Sequence, residues 1–499
     1  MKRYSRLIAL LIILVFLLTS CNADSKTPTL IVEDYNGIDI DRINRYEIEV
    51  ELDTEKKTYS AYQKVTYVNN TGTVLDEVYF HLYPNAYKEL ETAPILFNED
   101  IMSKGYVPGY IEIEEIKVKG EKAEYAIQGK GDTILRINLN EPLKEDEELK
   151  IELKYKGKLP INIDRFGYGE NVFNFGNWYP IACAFDETGW NLDPYYSLGD
   201  PFYSDIANYD VKITVPEEVI VASSGNIIKE KKDKNKKTYY IEGKLIRDFA
   251  WVASENFLVT ESYAGDTLVK LYALENDESA AKIAMDAGVK SIELFNSLFG
   301  KYPYGVYSIA ITEFPTGMEY PGIVFINKEY YNKNYKEYLE QVIVHETAHQ
   351  WWYGVVGNDQ IDEAWIDESL ATYSEVIYIH NIYGEGAGKN YYRYYCELPY
   401  EYTIKNISTD GVIVKPLKDF NSWDEYGLLV YTKGAMFINS IKEDFGMDTL
   451  YEILNEYYSR YRFHFGTTED FIKVCEEITG SNFQDRINKW IYGNKDGGG

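Results

Sequence analysis

The chain has 499 residues, 45% of them hydrophobic, and this length exceeds what one hydrophobic core usually organises, so two or three globular parts are predicted. Its 51 basic and 80 acidic side chains give a net charge of -29 at pH 7. This balance excludes a general electrostatic affinity for nucleic acid or an anionic lipid surface, and we expect no nucleic-acid partner.

The beginning of the chain has the pattern of a secretory signal. Lys2, Arg3 and Arg6 precede an uncharged apolar run over residues 7–18, and small residues follow up to Cys21. These features are typical of a cleaved signal, because a membrane-spanning helix needs about 20 apolar residues. The letters LTSC also resemble the lipobox of bacterial lipoproteins, in which the cysteine becomes the lipidated first residue of the mature chain.

The lipobox resemblance implies a signal peptide over residues 1–20, then a lipidated cysteine and a polar tether over residues 21–44. The protein is then expected on the extracytoplasmic face of a bacterial cell membrane. The alternative is an ordinary signal with an incidental cysteine, which would leave a free thiol near the terminus. The other cysteines, Cys183, Cys396 and Cys475, are odd in number and far apart, which predicts buried thiols and no disulfide framework.

Residues 45–257 are predicted to form a β-rich domain. Residues 46–53, YEIEVELD, alternate apolar and polar side chains, and NNTG at 69–72 marks a turn before further alternating runs. The lysine-rich run at 229–238 lies between two such strands. A solvated hairpin tip is favoured there over a nucleic-acid site.

The pattern changes in the second part, residues 258–499. Residues 278–300 have apolar side chains at helical spacing and end in glycine, two short apolar strands follow, and the sequence from residue 338 onward is mostly helical. Strands followed by helices predict an α+β fold, with an N-terminal β-rich domain and then a mostly helical domain that contains a small mixed sheet.

The stretch VIVHETAHQWWYG at 342–354 holds two of the five histidines. On a helix, His345 and His349 lie on one face, so both imidazoles can bind a single ion. Zinc suits such ligands, but a catalytic zinc needs a third protein ligand besides its water. Glu368, which eighteen residues separate from His349, lies in the helical segment AWIDESLATYSE and is a candidate. The alternative, histidines that are merely buried, requires these features to agree by chance.

These motifs resemble those of the gluzincin metallopeptidases of the aminopeptidase N type. HETAHQWWYG and WIDES, in place of the commoner W-L-N-E-G, are similar to the zinc motifs of that family. TGMEY at 316–320 stands where the family carries G-A-M-E-N, and YTKG at 431–434 resembles its Y-x-K-G. The likeness runs from about residue 45 to residue 492 and implies a thermolysin-like catalytic domain. It also implies a short form, without the helical third domain of larger members.

The resemblance implies a role for each matching residue of the zinc motifs. His345, His349 and Glu368 would bind one Zn2+, whose chemistry is the activation of water. Glu346 would be the general base, taking a proton from that water and passing it to the leaving amine. Tyr431 would donate a hydrogen bond to the oxygen on which negative charge develops.

The segment TGMEY would line the substrate cleft. By resemblance, Glu319 binds the α-ammonium group of the substrate through charge-assisted hydrogen bonds, and Gly317 and Met318 lie beside it. The sequence departs from G-A-M-E-N at two places: Thr316 and Gly317 replace its Gly-Ala, and Tyr320 replaces its final asparagine. A second amine-binding residue is expected from the front domain, in the neighbourhood of residues 170–171.

The histidines also need partners for their outer nitrogens, because zinc-bound imidazoles usually donate their other N–H to a carboxylate or a carbonyl. Four acidic residues flank the ligands and are the candidates: Asp362, Glu363, Asp367 and Glu375.

We therefore predict a monomeric zinc aminopeptidase that removes N-terminal residues from peptides at the cell surface. One alternative keeps the zinc hydrolysis but acts on internal peptide bonds, or on a non-peptide such as an epoxide. Another is a non-catalytic binding protein on the same fold. The latter predicts a broken motif, whereas every residue of the zinc and oxyanion motifs is present.

Overall fold

The structure, a computed structural model, describes residues 27–94, 105–161 and 164–493. The predicted signal peptide and Cys21 lie outside the described residues. Within these ranges, none of the helices combines the length and the apolar character that crossing a membrane requires.

The first part of the described chain is built almost entirely from β-strands. These are β1 (Arg45–Asp53), β2 (Thr58–Val68), β3 (Leu75–His81), β4 (Tyr110–Val118), β5 (Glu121–Lys122), β6 (Tyr125–Gln128), β7 (Ile134–Leu143), β8 (Glu148–Lys158), β9 (Phe166–Tyr168), β10 (Phe173–Phe175), β11 (Ile181–Ala182), β12 (Phe185–Asp186), β13 (Gly189–Trp190), β14 (Ala207–Pro216), β15 (Ile220–Ser223), β16 (Asn226–Asp233), β17 (Lys236–Ile246) and β18 (Trp251–Ser254).

An eight-stranded sheet in the order β16-β17-β14-β1-β2-β8-β4-β5 dominates this domain, beside two four-stranded sheets, β15-β18-β10-β9 and β11-β3-β7-β6. The predicted alternation explains the large sheet. In β1, every second side chain from Tyr46 to Leu52 is buried and its neighbours are exposed. Most buried side chains of the three sheets join one hydrophobic cluster, and each fully buried Val, Leu or Ile stabilises the fold by about 1.5–3 kcal/mol.

Two smaller predictions made from the sequence, the hairpin tip and the buried thiols, are confirmed. The lysine-rich run forms the tip of the β16–β17 hairpin, where Asp233 pairs with Lys236 and Lys234 adopts a φ of 56°. In the described part of the chain, the three cysteines are buried and free.

The second part contains five strands and most of the helices. The strands are β19 (Leu258–Ala264), β20 (Thr267–Ala273), β21 (Val306–Thr312), β22 (Gly317–Met318) and β23 (Ile323–Asn327). The helices are α1 (Glu278–Leu298), α2 (Lys336–Ala348), α3 (Trp365–Tyr383), α4 (Glu385–Tyr392), α5 (Leu398–Thr403), α6 (Trp423–Tyr426), α7 (Gly434–Phe445), α8 (Met447–Tyr461), α9 (Thr468–Thr479) and α10 (Gln484–Trp490). Across both parts, short 3-10 turns occur at Tyr83–Lys88, Lys130–Asp132, Lys328–Tyr330, Lys333–Tyr335 and Leu417–Asp419. The second part also has π-helical turns at Arg393–Glu397 and Gly427–Lys433.

The sheet of this second part has the order β19-β20-β21-β23-β22 and is mixed. The pairs β20–β21 and β21–β23 are parallel, and the pairs β19–β20 and β22–β23 are antiparallel. Every side chain of β21 is buried, as expected for a central strand, whereas the short β22 lies at the edge and contacts α2. The predicted α+β fold is confirmed.

The predicted tether is wrong from residue 27 onward, because residues 27–44 pack against the folded body. The N–H of Ile31 donates to the carbonyl of Pro303 at 2.8 Å, and the amide of Asn36 donates to the carbonyl of Arg460 at 2.9 Å. The polar letters that suggested a tether end near Pro28. The apolar side chains beyond it pack on the main core, which offsets the entropy lost when this segment is ordered.

One buried arginine joins the two parts of the chain. Arg247 directly follows β17, and its guanidinium donates to the carbonyls of Tyr353 at 3.0 Å and His464 at 2.6 Å in the helical part. It also donates to the carbonyl of Ser204 in the front part at 3.3 Å. The carbonyls of Tyr353 and His464 would lose this donor if the two parts separated.

Candidate active site

The three predicted metal ligands meet where α2 ends and α3 begins. His345 lies in the last turn of α2, and His349 caps that helix, with its N–H directed at the carbonyl of His345 at 3.3 Å. Glu368 lies in the first turn of α3, where a carboxylate interacts favourably with the helix dipole. The two Nε2 atoms are 3.2 Å apart, and Glu368 Oε2 lies 3.3 Å and 3.2 Å from them.

The outer nitrogens of both imidazoles have acceptors as partners. His345 Nδ1 lies 2.7 Å from a carboxylate oxygen of Glu375, and His349 Nδ1 lies 3.1 Å from the carbonyl of Trp352. Since neither acceptor can donate, Nδ1 carries the proton in each neutral imidazole. The two Nε2 lone pairs then face the Glu368 carboxylate. Three acceptors that converge on one point fit a bound cation, and two imidazoles with one carboxylate are a donor set typical of catalytic Zn2+.

The electrostatics of this point agree with a cation. Burial lowers the pKa of His349, but Glu368 and Glu319 outweigh it and raise that pKa to about 10. Conversely, burial raises the pKa of Glu368, but the charges and hydrogen bonds of His349 and His345 hold it below its usual range. The site therefore stabilises positive charge between these side chains. A metal ion that binds there takes the place of protons on the Nε2 atoms, whereas the Nδ1 protons remain.

A second acidic group lies next to the first and is a weaker candidate for a metal. Glu319, His349 and Asp367 also bring ligand atoms within 4.8 Å of one another. However, the amide of Gln360 donates to Glu319 at 3.1 Å and to Asp367 at 2.7 Å, and the amide of Asn358 donates to Asp367 at 2.8 Å. Asp367 already accepts from two neutral amides and Glu319 from one, so we assign the ion to the first group.

Glu346 lies beside the ligands and close to the edge strand of the sheet. It is 6% exposed, and burial raises its pKa to about 7, although the neighbouring histidines oppose the rise. A side chain at Gly317 would place its Cβ 2.1 Å from Glu346 Oε1. Glycine at this position therefore lets β22 lie close to the carboxylate without displacing the glutamate side chain. Met318, the next residue of β22, is buried and its sulfur accepts from the guanidinium of Arg165 at 3.2 Å.

Glu319 follows β22 and is 3% exposed. Burial raises its pKa well above the ordinary value, and the charge of Asp200 raises it further. A buried carboxylate of this kind gains strongly from a cationic ligand, because the ligand restores the stabilisation that water no longer gives.

Asp200 belongs to the front domain and was missed by the sequence reasoning. It is buried and forms an ion pair with Arg165, and its charge acts on Glu319. The usable signal in the sequence is the glycine directly before the acid in the segment LGDPF, which indicates a tight turn. In the structure this glycine has a φ of 70°, and the turn presents the acidic side chain.

The neighbourhood expected to supply a second amine-binding residue, residues 170–171, has another role. The amide of Asn171 donates to Glu313 at 3.0 Å, and Lys328 donates to the same carboxylate at 3.0 Å. Asn171 is thus engaged in an ion-pair network, and the front-domain carboxylate whose charge acts on Glu319 is Asp200.

Tyr320 explains why the sequence departs from the family at this position. Its phenol donates to the amide oxygen of Asn177 at 2.8 Å, and its carbonyl accepts from the amide of Gln350 at 3.2 Å. A side chain at Gly176 would place its Cβ 1.8 Å from the phenol oxygen. The tyrosine therefore fixes the end of the segment TGMEY between Asn177 of the front domain and Gln350, just after α2.

Tyr431 lies in the π-helical turn Gly427–Lys433, an irregular element that is frequent at functional sites. Its O–H donates to Glu368 Oε1 at 2.6 Å, and its ring stacks on that of His345 with 5.9 Å between centroids. The phenol therefore lies at the ligand set, as predicted from the segment YTKG.

Of the four acids considered as partners of the histidines, Glu375 binds His345, and Asp367 Oδ2 lies 3.9 Å from His349 Nδ1. Glu363 instead accepts from Thr468, and Asp362 is exposed. Glu375 is itself held by a short hydrogen bond from the phenol of Tyr391.

We expect the substitution Glu375→Gln to weaken zinc binding by about 10- to 100-fold, because an outer carboxylate orients its histidine and raises its basicity. Competition with a chromogenic chelator measures this affinity without any substrate. Glu363→Gln is the matched control, since it removes a carboxylate of the same region that binds Thr468. Equal affinities for zinc in both variants and the unmodified protein would contradict the expectation.

Comparison with known proteins gives three kinds of likeness. Residues 283–490 match the peptidase family M1 domain. Among curated relatives, Aminopeptidase M1-B of Oryza sativa subsp. japonica is 25% identical over 298 residues, which cover 57% of this chain and 34% of the relative. Probable aminopeptidase 2 of Sulfurisphaera tokodaii is 22% identical over 479 residues, which cover 91% of this chain and 54% of the relative. This chain therefore spans about a third to a half of the length of these relatives.

Solved structures resemble the whole described fold. The M1 zinc metallopeptidase from Deinococcus radiodurans superposes with a TM-score of 0.66 at 14% identity, covering 91% of this chain and 95% of that chain. A point mutant of the same enzyme, bound to a tripeptide substrate, gives a TM-score of 0.63 at 15% identity, with the same coverage. The fold is thus that of a two-domain chain, and the resemblance predicted from the motifs is confirmed.

Proposed function

We propose that this protein, whose residues 283–490 match the peptidase family M1 domain, is a zinc-dependent aminopeptidase that removes N-terminal residues from peptides. One observation carries the proposal: the convergence of His345, His349 and Glu368 on one point, with the Glu346 carboxylate beside it. That arrangement joins a metal site to a proton acceptor, the two groups that metal-assisted hydrolysis of a peptide bond uses.

His345 and His349 would hold the zinc through Nε2 and Glu368 through its carboxylate. When bound, zinc supplies Lewis-acid activation of a water molecule and of the scissile carbonyl. The protein fixes the ligand geometry through the outer contacts of the imidazoles with Glu375 and Trp352. These contacts keep the Nε2 lone pairs directed at the ion.

Glu346 carries the proton. Burial raises its pKa to about 7, and the carboxylate would accept a proton from water and then release it to the departing amine nitrogen. The close approach of Gly317 places the edge strand, along which a substrate backbone can bind, directly beside this carboxylate.

Glu319 and Asp200 account for the preference for N-terminal residues. Both carboxylates are buried, and the like charge of Asp200 adds to the rise that burial causes in the pKa of Glu319. A substrate α-ammonium group relieves this repulsion and receives charge-assisted hydrogen bonds. A peptide whose amine is blocked offers no positive charge, and its binding is therefore disfavoured.

Tyr431 supplies the remaining donor. Its O–H donates to Glu368 Oε1 at 2.6 Å, and it would turn from there to the carbonyl oxygen on which negative charge develops during attack. Donation to that oxygen stabilises the transition state more than the substrate, which is the condition for faster turnover.

Matched fluorogenic peptides with free and acetylated N-termini test the proposed activity, each with and without a chelator. Cleavage of the free peptides alone, abolished by the chelator and restored by zinc, is the expected result. Equal cleavage of both sets would make the protein an endopeptidase, and no cleavage of either would move the assignment to a non-peptide substrate such as an epoxide or to a binding role.

We further propose that the protein is a monomer held at the outer face of a bacterial membrane by a lipid on Cys21. The support is the basic start, the apolar run and the LTSC letters of the sequence. The substitution Cys21→Ala is expected to move the protein from the membrane fraction to the soluble fraction and to abolish labelling with a fatty-acid probe. Unchanged fractionation would contradict the anchor, and light scattering measures the mass of the released form.

A further inference from the structure

Two consecutive residues of α3 contact two consecutive residues of the π-helical turn. Glu368 accepts from the phenol of Tyr431 at 2.6 Å, and the next residue, Ser369, donates from Oγ to the carbonyl of Val430 at 2.6 Å. Ser369 is fully buried, so this hydrogen bond is protected from water. The four residues form a closed ring of two side-chain contacts and two peptide bonds.

The partner of Ser369 lies inside an irregular element. In a π-helical turn the backbone hydrogen bonds reach one residue further than in an α-helix, and such turns are rare and short. Ser369 adds a donor from a neighbouring helix to the carbonyl directly before Tyr431. The orientation of that peptide group helps to set the direction in which the Cα–Cβ bond of Tyr431 points.

Gly434 provides the space for this contact. A side chain at this position would place its Cβ 1.7 Å from Ser369 Oγ. The last residue of the YTKG segment must therefore be small for the serine hydroxyl to reach Val430. The serine and the glycine fit each other, although 65 positions separate them in the sequence.

We propose that Ser369 is a positioning residue for Tyr431, which holds the Val430 carbonyl and thereby keeps the phenol at the ligand set. This inference rests on the proposed function, in which Tyr431 stabilises the developing negative charge. It assigns two tasks to adjacent residues of one helix: Glu368 binds the metal, and Ser369 places the donor that acts beside it.

Kinetics of the double substitution test the inference. Ser369→Ala is expected to lower kcat about tenfold with little change in KM, because the loss falls on an interaction made in the transition state. In a Tyr431→Phe background the same substitution is expected to have no further effect on kcat. An equal loss in both backgrounds would show that Ser369 acts by another route and would overturn the inference.

Thr372→Ala is the matched control. Thr372 lies on the same helix, and among the described residues its buried hydroxyl has no hydrogen-bond partner, so its removal should leave kcat unchanged. Ser369→Gly also removes the hydroxyl without adding volume, and it should reproduce the kinetic loss of the alanine variant. A glycine variant that is folded and fully active would contradict the proposal.

Hydrogen exchange separates this inference from the proposed function, because it needs no substrate. Amides of residues 427–434 are expected to exchange faster in Ser369→Ala than in the unmodified protein or in Thr372→Ala. Faster exchange in a protein that cleaves no peptide would refute the proposed function, but it would support the conclusion that Ser369 holds the π-helical turn. Unchanged exchange and unchanged kcat in an active enzyme would refute the inference alone.

Discussion

Replacing Glu346 with glutamine is expected to lower kcat for peptide hydrolysis by about 10²- to 10⁴-fold while the protein still binds zinc. Glutamine has the same shape, so the close contact with Gly317 is preserved. It cannot accept a proton from water, however, and the ligand atoms of the metal centre come from other residues. Steady-state kinetics and the zinc content of the purified protein measure the two effects separately.

The control for this substitution lies on the same helix. Glu340 accepts hydrogen bonds from the phenols of Tyr378 and Tyr383, so Glu340→Gln changes a carboxylate of α2 without touching the ligand set. Its turnover should remain close to that of the unmodified protein. A Glu346→Gln protein with near-normal turnover would rule out the general base proposed above.

Replacing Glu319 with glutamine is expected to reduce kcat/KM for peptides with a free N-terminus by about 10²-fold, because one member of a buried charge pair with the substrate is lost. Hydrolysis of acetylated peptides, already slow, should change little. The ratio of kcat/KM for free peptides to kcat/KM for acetylated peptides is therefore expected to fall strongly. Both sets can be measured in one assay with matched sequences.

Glu313→Gln serves as the control for Glu319→Gln. Glu313 is also a buried carboxylate after β21, but it is satisfied by Lys328 and Asn171. It should retain the preference for free amines. If Glu319→Gln lowered the rates of both substrate sets equally, the carboxylate would be supporting the metal centre, and amine recognition would have to come from elsewhere.

The parts of this site that follow from local geometry could be predicted from the sequence. The spacing of His345 and His349 fixes one helix face, and the segment with Glu368 is short enough to fold beside it. The hairpin and the alternating strands also follow from short-range patterns.

The remainder depends on contacts between distant segments. Asp200 reaches Glu319 only through the packing of two domains, and Tyr320 acquires its role from Asn177, 143 positions earlier. No local periodicity of apolar residues predicts the π-helical turn. Its shape depends in part on the hydrogen bond of Ser369, from another helix, and on the space at Gly434. The folded residues 27–44 were mistaken for a tether because their first letters are polar.

The guanidinium of Arg247 has a consequence for protein engineering. Because it binds carbonyls on both sides of the domain boundary, a fragment that begins at residue 258 would lose the donor of Tyr353 and His464. Such a fragment would also lack Asp200 and the anchor of Tyr320. The helical half alone would therefore lack groups on which the proposed activity depends, and a truncated or fused form should keep the β-rich half.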